Sequence, residues 1–214
     1  MPAGRITSSY EPGLLLIGDD ARSRKVTLLS GQNLGAGAVL GKITLGTATA
    51  AAGAGNTGGG VLTVDAATPV LAHARPGAYV VACIAAAAGG GIFRVSDPAG
   101  YVLGDVAVGA TFANQIKFQI ADGAPDYALG DRFTVTVAAG SGKYRLSVAA
   151  ATDGSAVPDA VLAEDCDASG GDAQALVYLA GDFNLSALAF GAGHDAGSTE
   201  EALRAKDIHL ITAG

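Results

Sequence analysis

Three carboxylates and a thiol lie side by side at Glu164, Asp165, Cys166 and Asp167. Such a cluster binds a metal ion or performs acid–base chemistry when further ligands converge on it from elsewhere in the fold. Because alternate residues of a strand face opposite sides, a strand here places Glu164 and Cys166 on one face and Asp165 and Asp167 on the other. The segment DASGGD begins within the cluster and is typical of a turn. We therefore predict a strand, VLAED, that runs into an acidic turn, and no catalytic centre.

The histidines are His73, His194 and His209, and none has the spacing of a metal-binding or catalytic motif. The sequence has no GxSxG nucleophile motif, and its glycine-rich stretches at 35–37 and 89–91 do not open a helix as phosphate-binding loops do. We expect neither enzyme activity nor a cofactor or metal. The alternative is a metal-dependent hydrolase, which requires converging Asp and His side chains and a bound ion.

Asp122, Asp126 and Asp131 lie together in the loop ADGAPDYALGD. Loop carboxylates are ligands for calcium, although this spacing does not match an EF-hand. Aspartate is also an ordinary turn residue between strands. We predict turns in this loop and keep a calcium site as the alternative.

The net charge is −7, with 13 Lys and Arg against 20 Asp and Glu. Nucleic-acid binding needs clustered positive charge, so we expect no nucleic-acid partner. No apolar run is long enough to span a bilayer, and MPAGRITSSYEPG lacks the apolar core of a secretory signal. We therefore expect no membrane partner, and we expect Cys83 and Cys166 to be free thiols.

Thirty-two glycines and no tryptophan favour short strands separated by turns. KVTLL and AVLGKITL are predicted strands on either side of a turn, and TATAAAGAGNTGGG at 47–60 predicts a flexible linker. Further strands follow at 61–64, 78–85, 92–97, 101–108, 115–121 and 132–138, a spacing typical of a β-sandwich or barrel. GKITL at 41–45 and GKYRLSV at 142–148 flank this block and would form a hairpin without it.

The flanking strands predict three parts. Residues 46–142 form an inserted β-sandwich-like domain at a hairpin tip, where insertions are tolerated. Residues 21–45 and 143–214 form the outer domain, with ALVYLAGDFN and IHLIT as strands and GSTEEALRAKD as a short helix. We expect Ser198 and Glu201 to form its capping box, with Lys206 near its C-terminus. Residues 1–20 form an N-terminal arm whose extended, apolar stretches suit strand addition to a partner's sheet, and the alternative is a disordered terminus.

The outer domain resembles the head decoration proteins of tailed phages, the family of the lambda capsid-stabilising protein. The resemblance lies in RKVTLLSGQNLGAGAVLGKIT (24–44), KYRLSVAAATDGSAVPDAVLAEDCDA (143–168), ALVYLAGDFNLSALAF (175–190) and the terminal helix with IHLI. The inserted block, with ACIAAAAGGGIFRVSDPAGY and FQIADGAPDYALGDRFTVTV, resembles a β-domain inside some prophage members of the family.

The resemblance implies a structural virion protein that binds the outside of the expanded capsid as homotrimers at local three-fold positions. Its implied partner is the major capsid protein, which it stabilises against DNA pressure after assembly in the bacterial cytoplasm. The family's N-terminal arm orders on binding and adds to capsid-protein strands. From position and apolar character within the arm, we predict the capsid contacts Ile6, Thr7, Tyr10, Leu14, Leu15 and Leu16.

The predicted fold is mainly β: a decoration-protein β domain with one short C-terminal helix, interrupted by an inserted β-sandwich-like domain. The alternative function is an adhesin-like surface or carbohydrate-binding β module. Its weakness is the lack of tryptophan and the small number of tyrosines, the rings that stack on sugars. A host-surface glycan bound by the insert is the additional partner we consider.

Overall fold

The computed structural model describes residues 14–18 and 20–212, and over these ranges the chain is mainly β with one short α-helix, as predicted. Strands dominate because apolar residues alternate along short segments that glycine and aspartate turns separate. The elements are β1 Arg22–Leu28, β2 Asn33–Leu34, β3 Val39–Lys42, β4 Leu45–Ala52, β5 Leu62–Val64, β6 Gly77–Ala87, β7 Gly90–Ser96, β8 Val102–Ala107, β9 Thr111–Ala113, β10 Lys117–Ile120, β11 Arg132–Ala139, β12 Tyr144–Leu146, β13 Pro158–Leu162, β14 Cys166–Asp167, β15 Ala173–Asn184, a 3-10 turn Leu185–Ala187, α1 Ala196–Arg204 and β16 Ile208–Ile211.

The chain divides into two compact units. The first comprises the residues up to Lys42, Lys143–Ala151 and the residues from Ser155 onward. The second comprises Ile43–Gly142 together with Thr152–Gly154.

The first unit is built on a closed ring of strands. Its sheet has the order β1–β12–β3–β13–β15, and β1 also pairs with β15, so the sheet returns to its starting strand; β16 then adds to β15 in parallel. Leu40 and Leu162 join one buried cluster, whereas their neighbours Val39 and Val161 join another, which includes Leu203 of α1. Side chains of consecutive strand residues point to opposite faces. Two apolar residues in a row therefore allow β3 and β13 to be buried on both faces.

Backbones approach closely inside this unit. A Cβ atom on Gly41 would lie 1.9 Å from the carbonyl oxygen of Ser155. Only glycine fits this position of β3, because any side chain would overlap the neighbouring main chain.

The helix differs in detail from the prediction. The capping box is formed by Asp195 as the N-cap and Ser198 at the third helical position, not by Ser198 and Glu201. The helix also ends at Arg204, so Lys206 lies beyond it and forms an ion pair with Asp159 at 2.8 Å. Aspartate accepts the backbone N–H bond one turn earlier than the sequence pattern indicated.

The second unit contains two antiparallel sheets. Their orders are β4–β11–β6–β7–β8 and β5–β10–β9, and residues of both sheets form one apolar cluster that contains Phe93, Phe112, Phe118 and Phe133. Six aromatic rings lie in this core, and the rings of Phe93 and Tyr127 are 4.9 Å apart, centre to centre. Two sheets around a common core give the sandwich-like arrangement that the sequence predicted.

The prediction of a flexible linker at 47–60 is wrong. Residues 45–52 form β4, which pairs with β11 along its length, and Ala48 is buried. The following turn is held by Asn56, whose side chain donates to Arg132 O and accepts from Arg132 N, both at 2.8 Å. Small residues lower the local preference for a strand, but the backbone hydrogen bonds to β11 do not depend on side-chain size.

Two strand boundaries also differ from the predictions. AVLGKITL is not a single strand, because β3 ends at Lys42 and β4 begins at Leu45 in the other unit. VLAED stops being a strand at Leu162 and pairing resumes only at Cys166–Asp167, which form β14 opposite β2.

Candidate functional site

The segment Leu14–Ile17 is attached to the last part of β15 by main-chain contacts. Leu16 forms an antiparallel bridge with Phe183, Ile17 N donates to Asp182 O at 2.8 Å, and Asn184 N donates to Leu15 O at 3.0 Å. The segment therefore continues the sheet on the side of β15 opposite β16. We call Leu14–Ile17 the anchor segment.

The side chains of the anchor segment divide into two groups. Leu15 and Leu16 are half-buried against the apolar cluster that contains Phe183, whereas Leu14 is 53% exposed. Of the predicted capsid contacts, Leu14 is thus available to a partner, and Leu15 and Leu16 contact the protein's own core. Ile6, Thr7 and Tyr10 lie outside the described residues.

A glycine in β15 allows the close approach of Ala21, which follows the anchor segment in the chain. Gly181 has φ +139, and a Cβ atom there would lie 3.2 Å from the side chain of Ala21 and 3.5 Å from that of Leu16. Sequence reasoning missed this role, although a glycine that interrupts the apolar strand ALVYLAGDFN is a signal of close backbone approach.

A charged depression of about 280 Å³ lies beside the anchor segment. Its lining includes the carboxylates of Asp20, Asp182 and Asp207 together with Arg22 and His209. Arg22 pairs with Asp207 at 3.2 Å, but both side chains are largely exposed, so the pair contributes little to stability. The depression suits polar contacts with a partner rather than an apolar ligand.

The residues Glu164 to Asp167 do not converge on a common point. Asp165 accepts a hydrogen bond from Ala36 N at 2.8 Å, Asp167 accepts one from Ser169 N at 2.8 Å, and Cys166 is buried with its thiol donating to Gln174 O. Across the described part of the chain, no three His, Cys, Asp or Glu side chains are grouped in a way that could hold a metal ion. The cluster stabilises the main chain around β14.

The predicted calcium loop is organised around one buried carboxylate. Asp131 accepts hydrogen bonds from Thr57 N and Gly58 N at 2.8 Å and from Ala128 N at 2.9 Å. Burial raises the pKa of Asp131, but the three N–H donors outweigh it and the pKa lies below its usual value. Asp126 instead contacts Gly89 N at 3.1 Å, so the loop's aspartates bind separate backbone groups.

The histidines are also dispersed. His73 adopts φ +64, His194 Nε2 lies 2.9 Å from Ala156 O, and His209 belongs to β16 opposite Asp182. The prediction that His209 is a strand residue is confirmed. Both cysteines are free and buried, and burial raises the pKa of the Cys83 thiol.

A half-buried carboxylate connects the barrel with the chain after α1. Asp159 accepts a hydrogen bond from Tyr144 Oη at 2.7 Å and pairs with Lys206 at 2.8 Å. Burial raises the pKa of Asp159, but the bonds from Lys206 and Tyr144 lower it below the usual value. Burial, and then the bond to Asp159, raises the pKa of Tyr144. The arrangement is structural, because both oxygens of the carboxylate are occupied.

The aromatic rings of the second unit are almost all buried. Tyr79, Tyr127 and the phenylalanines belong to its core, and Tyr101, at 71% exposed, is the one exposed ring among that unit's described residues. A single ring does not make a platform on which several sugars could stack. The structure thus offers no specific support for a glycan site in this unit.

The first unit is thus a β barrel with the anchor segment attached beside the end of β15. Residues 6–211 match the model of the bacteriophage lambda head decoration protein D family. The chain belongs to this family, whose members are structural proteins of the phage capsid and not enzymes. Over the described residues, no helix is long and apolar enough to cross a membrane.

Comparisons with individual proteins add little. No curated protein matches the chain. Two crystal structures of Xanthomonas campestris FlgL align over 50% of this chain at 21% and 22% identity, with TM-scores of 0.33 and 0.32. The aligned part spans about a third of the FlgL chains, at 34% and 33%. Scores this low show no shared fold and carry no argument about function.

Proposed function

We propose that the protein binds the outside of the expanded phage capsid as a homotrimer at local three-fold positions and stabilises it against the pressure of packaged DNA. The family membership over residues 6–211 supports a place on the capsid. The proposed partner is the major capsid protein, and the proposed contact is made by the arm, through Ile6, Thr7, Tyr10 and Leu14.

The attachment of the anchor segment is the observation that favours this contact. Two main-chain hydrogen bonds, which form the bridge between Leu16 and Phe183, hold Leu15–Ile17 against β15, so the arm is attached at a defined point on this strand. An extended segment that starts beside a sheet can pair with a partner's strand through main-chain hydrogen bonds. Many copies on one capsid then increase the strength of a modest contact through multivalency.

The anchor segment also separates attachment from recognition. Leu15 and Leu16 pack against the protein's own cluster, and Leu14 is exposed beside them. We therefore assign Leu15 and Leu16 to holding the base of the arm, and Leu14 with the preceding residues to the capsid. Removing residues 1–13 should leave the fold intact, because none of the described contacts of the anchor segment is lost.

The test is co-sedimentation of the full chain with expanded capsid shells that lack decoration protein, with unexpanded shells as the control. We expect saturation at three copies for each local three-fold position on expanded shells. The variant lacking residues 1–13 should keep its thermal midpoint and lose binding. Leu14→Asp should weaken binding, whereas Leu129→Asp, at an exposed leucine of the second unit, should not. Wild-type binding by the truncated chain would refute the assignment.

A further inference from the structure

The strand β4 forms an edge of the five-stranded sheet that lacks the usual protection against pairing. Free strand edges normally carry charge, proline, bulges or only a few residues. The opposite edge, β8, follows this rule: Asp105 is held by Arg94 through two 2.9 Å bonds, and Gly104 has φ +146 beside a shift in register. In contrast, β4 reads LGTATAAA, with no charge and no proline, and its register shift against β11 lies between Leu45 and Ala48, before the regular stretch Ala48–Ala52.

The hydrogen bonds of β11 show which groups of β4 face outward. Gly53 N donates to Arg132 O at 2.8 Å, and Ala51 and Thr49 lie opposite Thr134 and Thr136. Because direction alternates along a strand, these residues point their N–H and C=O groups at β11. The backbone groups of the intervening residues, Ala48, Ala50 and Ala52, point away from it. Within the described ranges, the N–H groups of these three alanines have no backbone partner.

We propose that β4 pairs with β4 of a second copy of this chain, antiparallel, across a two-fold axis at Ala50. In this register Ala50 faces Ala50 and Ala48 faces Ala52, so three residue pairs each exchange two main-chain hydrogen bonds. A shift by one residue would place outward groups against inward ones and abolish the bonds. The hydrogen bonds therefore allow only registers that differ by two residues, and of these the register centred on Ala50 pairs all three outward alanines with one another.

Identical copies suit this edge because the strand is neutral and matches itself. Thr49 faces Ala51 on the exposed side, so no like charges meet. Thr47 and Thr49–Ala52 are exposed, which leaves room for a partner strand. A charged strand from another protein would find no opposite charge on β4.

The location of this contact on a capsid rests on the proposed function. A trimer presents three copies of β4, and a two-fold contact between copies joins different trimers instead of closing within one. Edge pairing then connects the decoration proteins to one another as well as to the capsid. The contact is small, and repetition over the capsid strengthens it.

Disulfide capture tests the register directly on the free, full-length protein. Hydrogen-bonded pairs have Cα atoms about 5.5 Å apart, which is within the range that a disulfide spans. Under mild oxidation, Ala50→Cys should give a covalent dimer linked through position 50. Ala107→Cys, at an exposed residue of the β8 edge, should stay uncrosslinked. Equal crosslinking of the two variants would overturn the proposal, and the native cysteines are buried and serve as internal controls.

A proline substitution provides the second measurement. The N–H group of Ala50 faces outward, so Ala50→Pro removes no hydrogen bond to β11 and should leave the thermal midpoint nearly unchanged. Both bonds of the central pair are lost, so self-association measured by sedimentation equilibrium should weaken about tenfold relative to wild type. Ala107→Pro is the matched control, because Val108 N donates to Gly91 O and Ala107 therefore faces the free edge of β8.

The crosslinking and sedimentation experiments use the free protein without capsids. A negative result in them therefore contradicts edge pairing and does not bear on capsid binding. Self-association that is the same in wild type, Ala50→Pro and Ala107→Pro would overturn edge pairing and leave capsid binding untouched. Loss of capsid binding with intact crosslinking at position 50 would refute the proposed function alone.

Discussion

Replacing Asp131 by alanine should destabilise the second unit strongly. This carboxylate is 5% exposed and accepts three backbone hydrogen bonds, from Thr57, Gly58 and Ala128, at 2.8 to 2.9 Å. It thereby connects the turn after β4 to the start of β11. Alanine would leave all three N–H donors without their acceptor.

The magnitude follows from the number and exposure of those donors. An unsatisfied buried donor costs about 1–3 kcal/mol, so three give about 3–9 kcal/mol in the limit of complete burial. Thr57 is exposed and Gly58 and Ala128 are half-buried, so water can replace part of the loss. We therefore expect the free energy of unfolding of this unit to fall by about 3–5 kcal/mol. Asp131→Asn should lose less, because its Oδ1 can still accept the bonds from Gly58 N and Ala128 N while its NH2 group faces Thr57 N.

The assay is urea unfolding followed by near-ultraviolet circular dichroism, supported by calorimetry. Because the chain has two units, the transition of the second unit must be resolved from that of the first. For a unit of this size, each kcal/mol lowers the thermal midpoint by roughly 4–8 °C. Asp126→Ala, in the same loop, removes one 3.1 Å bond at an exposed residue and should change stability by no more than about 0.5 kcal/mol.

Two results would refute this reasoning. Equal effects of Asp131→Ala and Asp126→Ala would mean that the buried hydrogen bonds do not hold the loop. A fall in the wild-type midpoint on addition of a chelator would show that the loop binds calcium, and the loss in the Asp131 variants would then be loss of a metal ligand. We expect the chelator to leave the midpoint unchanged.

Further predictions concern acid stability and the insert. Because the folded pKa of Asp159 is lowered, its contribution to stability is complete above the unfolded pKa of about 3.9 and is lost as the pH falls through the folded value. Asp159→Asn should therefore reduce stability near neutral pH and flatten the acid limb of the urea-midpoint profile; a variant curve parallel to the wild-type curve would contradict this. Replacing residues 44–142 by a two-residue Asn-Gly turn should preserve the fold and capsid binding of the first unit, because Lys42 already lies opposite Tyr144 in the β3–β12 hairpin and residues 43 and 143 would then close the turn. Loss of folding in this variant, measured by circular dichroism, would show that the second unit is not an accessory.

Much of the secondary structure could be predicted from local patterns. The alternation of buried and exposed residues in RFTVTVAA is visible in the sequence, and β11 has this pattern in the structure. The glycine and aspartate turns that separate the strands are equally local. The start of the helix was predicted less accurately. Asp195 and Ser198 both suit the N-cap position, and only the backbone geometry distinguishes them.

The packing of the anchor segment could be predicted only in part. LLLI signals an apolar contact, but three adjacent leucines carry no information about which of them faces the protein's own core. Leu15 and Leu16 are half-buried because β15 and its apolar cluster lie beside them, and Leu14 extends beyond this contact. The edge of β4 was missed entirely, because an Ala- and Thr-rich stretch has the composition of a linker.

The sequence by itself determined the β class, the family and the absence of motif spacing for catalysis, because these depend on periodicity, turn residues and order along the chain. The tertiary structure decided which segments pair. It turned residues 45–52 into a strand by placing β11 beside them, and it closed the barrel by pairing β1 with both β12 and β15. It also made Asp131 the acceptor for the distant turn at Thr57 and Gly58. Each of these depends on contacts between residues far apart in the chain, which local sequence preferences do not specify.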